Sequence, residues 1–164
     1  MQRSKRIVLV SHCVLNQNAV VQPLARAKGP MECARLLLDS DCGIYQMPCP
    51  EMRMCGMGRV GMNAAQYGAI RGFHQLCADM VEDVIRDLQD YLAHGYTIVG
   101  LIAINGSPSC SVSGRRGVLM QHLFSRLEEE HIDLPYLEIP ESGEDASFLE
   151  AVRALVSRPD PQTV

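Results

Sequence analysis

The chain has 164 residues, 47% of them hydrophobic and 21% charged, with a formal net charge of −4. A chain of this length buries roughly 70% of its unfolded surface, so one domain can hold its core without a disulfide or metal staple. The acidic balance excludes a general nucleic-acid binder, which needs a basic footprint, and no stretch approaches the ~20 apolar residues of a membrane span.

The amino end, MQRSKRIVLVSHC, imitates a signal peptide, but its apolar run is only Ile7 to Val10, too short for the apolar region of one. That run belongs to the first predicted strand, Arg6 to Ser11. A helix follows from Gly29-Pro30 to Leu38, with Pro30 tolerated in its first turn. The second strand is Gly43 to Met47. The segment from Cys49 to Gly72 is long, rich in Gly and Met and weakly periodic, and it reads as a functional loop. From Phe73 to Leu92, apolar residues recur every three or four positions and line one helix face. Strand three is Thr97 to Ile104. A helix is expected from Ser113 or Gly114 to about Glu130, strand four at Pro135 to Ile139, and a last helix from about Asp145 to Ser157. Strand and helix alternate four times. This predicts an α/β fold, a single-domain Rossmann-like sheet of about four parallel strands with helices on both faces. The domain spans 1–158, with 159–164 a flexible tail.

Seven cysteines, an odd count with no CxxC pair, make a poor disulfide framework. Free thiols point to a reducing, cytoplasmic setting. Ligands bind outside the carboxyl ends of the strands of an open parallel sheet. Cys13, Cys49 and Cys110 each lie just past such an end. Cys33 and Cys77 fall in helices and Cys42 precedes a strand, so these three read as small buried hydrophobes. Cys55 lies in the Met-rich loop. Cys49 stands between Pro48 and Pro50, and each proline fixes its own φ and restricts the residue before it. Such bracing suits a ligand. Three thiolates are soft donors for zinc, copper(I) or an iron–sulfur cluster, and three protein ligands leave a metal position open for chemistry.

Other signals have plainer readings. GMGRVG, Gly56 to Gly61, spells G-x-G-x-x-G but does not follow a strand directly. Its glycines are expected to form a flap beside the site, with nearby methionines as apolar filler. SGRRG, Ser113 to Gly117, sets Arg115 and Arg116 at an expected helix start, where an anion could bind. With Arg59 and Asn18 they complete the candidate substrate contacts.

SHCVLNQNA, CPE and NGSPSCS, in that order and at those strand ends, resemble the 2-thiouracil desulfidase family. The resemblance runs from about Arg6 to Val112. It implies a [4Fe-4S] cluster held by Cys13, Cys49 and Cys110, whose open iron takes sulfur from a thiolated pyrimidine base or nucleotide without net redox change. It also implies acid–base work by Glu51 and a substrate or water contact from Ser107 or Ser109. Cys55 or His12 would be the candidate caps of the fourth iron. This chain has LNQNA where better-known members carry Arg-Tyr-Asp-Gly, and Ser111 where they carry Gly. The competing readings are a zinc site on the same cysteines and a non-catalytic cluster or sulfur-binding module.

Overall fold

A computed structural model of the protein describes residues 1–158; the expected tail, 159–164, lies outside them. Four strands form one sheet: β1 Arg6–Val10, β2 Gly43–Gln46, β3 Thr97–Ile104 and β4 Tyr136–Ile139. Their spatial order is β2-β1-β3-β4, and every pair is parallel. β3 is central and buried from Ile98 to Ile104, as its unbroken apolar run requires. The sequence therefore located each strand to within a residue or so.

Among the described residues seven α-helices surround the sheet: α1 His12–Leu15, α2 Cys33–Leu38, α3 Pro50–Cys55, α4 Ala64–Gly68, α5 Phe73–Ala93, α6 Val118–Glu129 and α7 Ala146–Val156. α5 packs against α6, and α2 packs against α7. α5 is the long amphipathic helix that periodicity predicts. Its buried stripe runs through Phe73, Cys77, Met80, Val81, Val84, Ile85 and Leu88. Asp145 caps α7 by accepting from the Phe148 N–H at 2.8 Å. Removing such a cap costs ~1 kcal/mol.

Three expectations are corrected. The helix expected from Gly29-Pro30 begins at Cys33, because Gly29 O and Met31 N pair with Gln17 N and Val14 O and the Glu144 carboxylate takes the N–H groups of Glu32 and Cys33. The 49–72 segment is no open loop, because α3 and α4 lie within it. Pro50 occupies the first turn of α3, where its missing N–H costs nothing. α4 begins in a capping box, the Asn63 side chain accepting from Gln66 N and the Gln66 side chain from Asn63 N. The helix expected from Ser113 starts instead at Val118. The reason lies across the sheet edge: the Glu138 carboxylate takes the N–H groups of Val112 and Ser113 and holds that stretch away from helical geometry.

Gly117 sets the last distance before α6. A Cβ there would lie 2.3 Å from the carbonyl carbon of Ser109 and 2.7 Å from Cys110 N. Backbone meets backbone, with no flexible side chain to yield. Gly117→Ala should destabilise the fold by about 1–3 kcal/mol, the usual range for overpacking, and push the Cys110 loop outward. Urea denaturation of the two proteins, with thiol accessibility measured beside it, checks both effects.

Candidate functional site

Parallel strands all end at one edge, and the chain reverses its direction of travel through the sheet between β1 and β3. Open α/β sheets bind ligands at that kind of switch point. A hollow of about 480 Å³ opens there, and segments following all four strands contribute to its wall. His12 and Cys13 come from the end of β1, Cys49 and Glu51 from β2, Ser107 and Cys110 from β3, and Glu141 from β4.

Each thiol is held by local chemistry. Beyond β1, Ser11 N still donates to Ile102 O at 2.9 Å, and α1 turns from the Ser11 carbonyl through Val14 N. The buried Gln17 amide then staples the bend. Its Nε2 donates to the Cys13 carbonyl at 2.9 Å, and its Oε1 accepts from Arg26 N at 2.8 Å. Cys49 is the N-cap of α3, and its Sγ accepts from Met52 N at 3.5 Å. The two prolines thus do more than stiffen the chain: Pro50 starts a helix whose amino end faces the sulfur. Cys110 sits in a tight turn in which the Ser107 hydroxyl accepts from the N–H groups of both Ser109 and Cys110.

Burial dominates the acid–base state of these thiols. It pushes Cys13 up to about 12, assisted by negative charge at Cys49. It raises Cys49 too, against the pull of the Met52 N–H. Cys110 is raised well above its ordinary value, by burial and then by charge at Cys13 and Cys49. The three sulfurs therefore feel one another's charge. Without positive charge among them they stay protonated, and a metal group would displace those protons.

Behind the thiols stands a second set of groups. The Arg59 side chain is almost wholly buried, at 3% exposed, and its Nη2 lies 3.7 Å from Glu51 Oε2. Arg59 also donates to the carbonyls of Ala19, at 2.6 Å, and Gly56, at 3.1 Å. Tyr67, on α4, is buried with its ring stacked on Phe73 at 5.2 Å. Burial and the negative charge of Glu51 push its phenol up to about 12. Glu51 and Arg59 were legible in the sequence; Tyr67, Gln17 and Ser11 were not. Only the Asn63-to-Gln66 capping signature hinted at an ordered helix around Tyr67.

Several sequence candidates lie elsewhere. Asn18 is exposed and faces a neighbouring hollow. Arg115 is exposed and absent from the wall; Arg116 lies over the Phe124 ring at 4.7 Å and donates to Val112 O. Ser109 is buried behind the wall rather than on it. Cys55 ends α3 and packs against the core, outside the wall. Cys33, Cys42 and Cys77 are buried, as expected of apolar thiols. No helix among the described residues is long and apolar enough to cross a membrane.

The donor set fits a metal group in kind. Among the described residues, no three His, Cys, Asp or Glu side chains converge on one point as the ligands of a single ion would. A polynuclear cluster binds each of its ligands through a different metal atom and does not require that convergence. The polar census is more telling. Among the described residues, the buried side-chain atoms without a hydrogen-bond partner are Ser11 Oγ, His12 Nε2, Arg59 Nε, Tyr67 Oη and Ser109 Oγ. All five residues either line the hollow or sit next to a thiol that does. Buried polar groups are nearly always paired, so their concentration here makes this hollow the candidate site of the molecule.

The loop after Cys110 is anchored by Glu138, which also accepts from the hydroxyls of Ser111 and Ser113. Burial alone would raise this carboxyl, but these hydroxyls and the Val112 and Ser113 N–H groups outweigh it and hold it below its ordinary value. A depressed carboxyl adds stability above its unfolded value of about 4.3, and that stability is lost as pH falls through the folded value. Glu138→Gln should therefore be less stable than the parent at pH 7, with the gap closing below about pH 4. Denaturant unfolding at pH 7 and pH 3 checks the sign.

Among curated proteins the chain is similar to "Uncharacterized protein MJ0003" of Methanocaldococcus jannaschii. The two are 37% identical over 144 residues, which cover 87% of this chain and 91% of that one. No family model matches the chain, and no solved structure matches it.

Proposed function

The chain belongs to the same family as that archaeal protein, and from its thiol-lined hollow we propose that it is a desulfidase, removing sulfur as sulfide from a thiolated heterocycle. The observation that carries this reading is the gathering of Cys13, Cys49, Cys110 and Glu51 on one wall, with unpartnered polar atoms around them. Cys13, Cys49 and Cys110 would hold a [4Fe-4S] cluster. When bound, such a group supplies a Lewis-acidic iron that polarises a carbon–sulfur bond.

The chain's own residues perform the rest. Glu51, beside the buried guanidinium of Arg59, accepts a proton from the water that attacks the thiocarbonyl carbon. Arg59 fixes the direction of that carboxylate and is itself fixed by two backbone carbonyls. Ser107 spends its acceptor capacity on the Cys110 turn; its O–H remains able to donate into the hollow. The apolar part of the wall, including Val20, Val21, Leu24 and Met62, excludes bulk water and packs a flat ring. A thiolated pyrimidine, as base or nucleotide, is the substrate class that the resemblance adds to this chemistry.

Anaerobic purification tests the reading. The expected protein is brown and contains iron and acid-labile sulfide, and it releases sulfide from thiolated pyrimidines. A colourless protein with stoichiometric zinc would replace it with the zinc reading, and a brown protein inert toward every thiobase and thionucleotide tried would favour a binding module. Glu51→Gln should keep the iron and lose roughly 10²–10⁴-fold in turnover, the usual range for general acid–base help. Cys49→Ala should lose the iron itself.

A further inference from the structure

Tyr67 combines three properties that an apolar core position does not require. Its ring is clamped: it is 1% exposed, stacked on Phe73 with the planes 27° apart. The helix that carries it is five residues long and starts in a full capping box, so the ring is held by deliberate local structure. Its buried hydroxyl makes no hydrogen bond of good geometry, although Glu51 and Arg59 stand close enough to act on it directly. A phenol placed only for packing would be a phenylalanine, since an unpaired buried hydroxyl costs about 1–3 kcal/mol.

The neighbourhood supplies a partner by its shape. Tyr67, Glu51 and Arg59 share the wall of one hollow with the three thiols. Arg59 Nε is a second buried donor without an acceptor. Two idle donors and one carboxylate form a corner that suits an oxygen which gives up a proton while gaining negative charge.

Resting on the desulfidase reading, we infer that Tyr67 is a catalytic residue whose phenolic O–H donates to the oxygen that enters the substrate. Water supplies that oxygen. Its O–C bond forms at the thiocarbonyl carbon as Glu51 takes one proton, and the second proton passes to the departing sulfur as the carbonyl is made. The C–S bond breaks with both electrons going to sulfur, which departs as sulfide. Carbon keeps its oxidation state, and no other reactant is needed. Throughout, Tyr67 keeps its own proton, because burial and the Glu51 charge hold the phenol at about 12. It acts as a fixed donor, preorganised in the way that makes such groups effective.

The test compares wild type with Tyr67→Phe, both loaded with iron anaerobically. The variant should keep its iron content and melting temperature. Its kcat for sulfide release should fall roughly 10²-fold, the scale on which loss of one preorganised donor is felt, with KM changed much less. Affinity for uracil, an oxo product without sulfur, should fall about tenfold by calorimetry, since one hydrogen bond to oxygen is lost. Undiminished kcat and uracil affinity in the variant would overturn the role of Tyr67 and leave the desulfidase reading intact. Loss of iron or of melting temperature would also overturn it, making Tyr67 structural. If loaded wild type releases no sulfide from any thiobase or thionucleotide, the desulfidase reading falls and takes this inference with it.

Discussion

Parallel strand pairing is the constraint from which the site follows. Antiparallel strands send their ends to alternate edges, whereas parallel strands deliver every carboxyl end to one. Here Cys13, Cys49 and Cys110 are separated by dozens of residues, yet each needs only a short continuation past its strand to reach the shared hollow. The β2-β1-β3-β4 order adds the crevice, because the segments following β1 and β3 leave the sheet in opposite directions. The hydrophobic burial of β3 and α5 is thus what fixes the thiols relative to one another.

Around this edge the protein leaves polar atoms unpaired while satisfying them elsewhere. Glu138 and Gln17 are each fully engaged in holding loops. Ser11, His12, Arg59 and Tyr67 keep a donor or acceptor idle. The division separates loop-holding groups, which are saturated, from groups at the hollow, which are not. Free energy left unspent in this way weakens folding slightly and becomes available on binding.

The strands and α5 were legible because their signals are local and long. An eight-residue strand at Thr97–Ile104, without a polar side chain after Thr97, and a 21-residue amphipathic helix leave little ambiguity. α3 and α4, with six and five residues, are shorter than a periodicity window, although Pro50 and the Asn63–Gln66 pair marked their starts. The late start of α6 depends on Glu138, 20 residues after Val118, and no local rule could announce it. The meeting of Cys13, Cys49 and Cys110 at one edge was legible from their places after strands. Tyr67 and Ser11 were hidden because what matters in them is an unmade hydrogen bond, which exists only in three dimensions. Arg115 and Arg116 misled for the opposite reason: their charge is conspicuous in sequence, while the fold spends Arg116 on an aromatic ring.

The spread of the thiols along the chain has a consequence for biosynthesis. Cys13 leaves the ribosome first, Cys110 follows nearly a hundred residues later, and the Glu138 anchor later still. Domains form as units while the nascent chain lengthens, and a three-stranded fragment would lack the carboxylate that holds the last thiol in place. The pocket edge that holds Cys110 in its turn is therefore completed only once the Glu138 strand has emerged and docked.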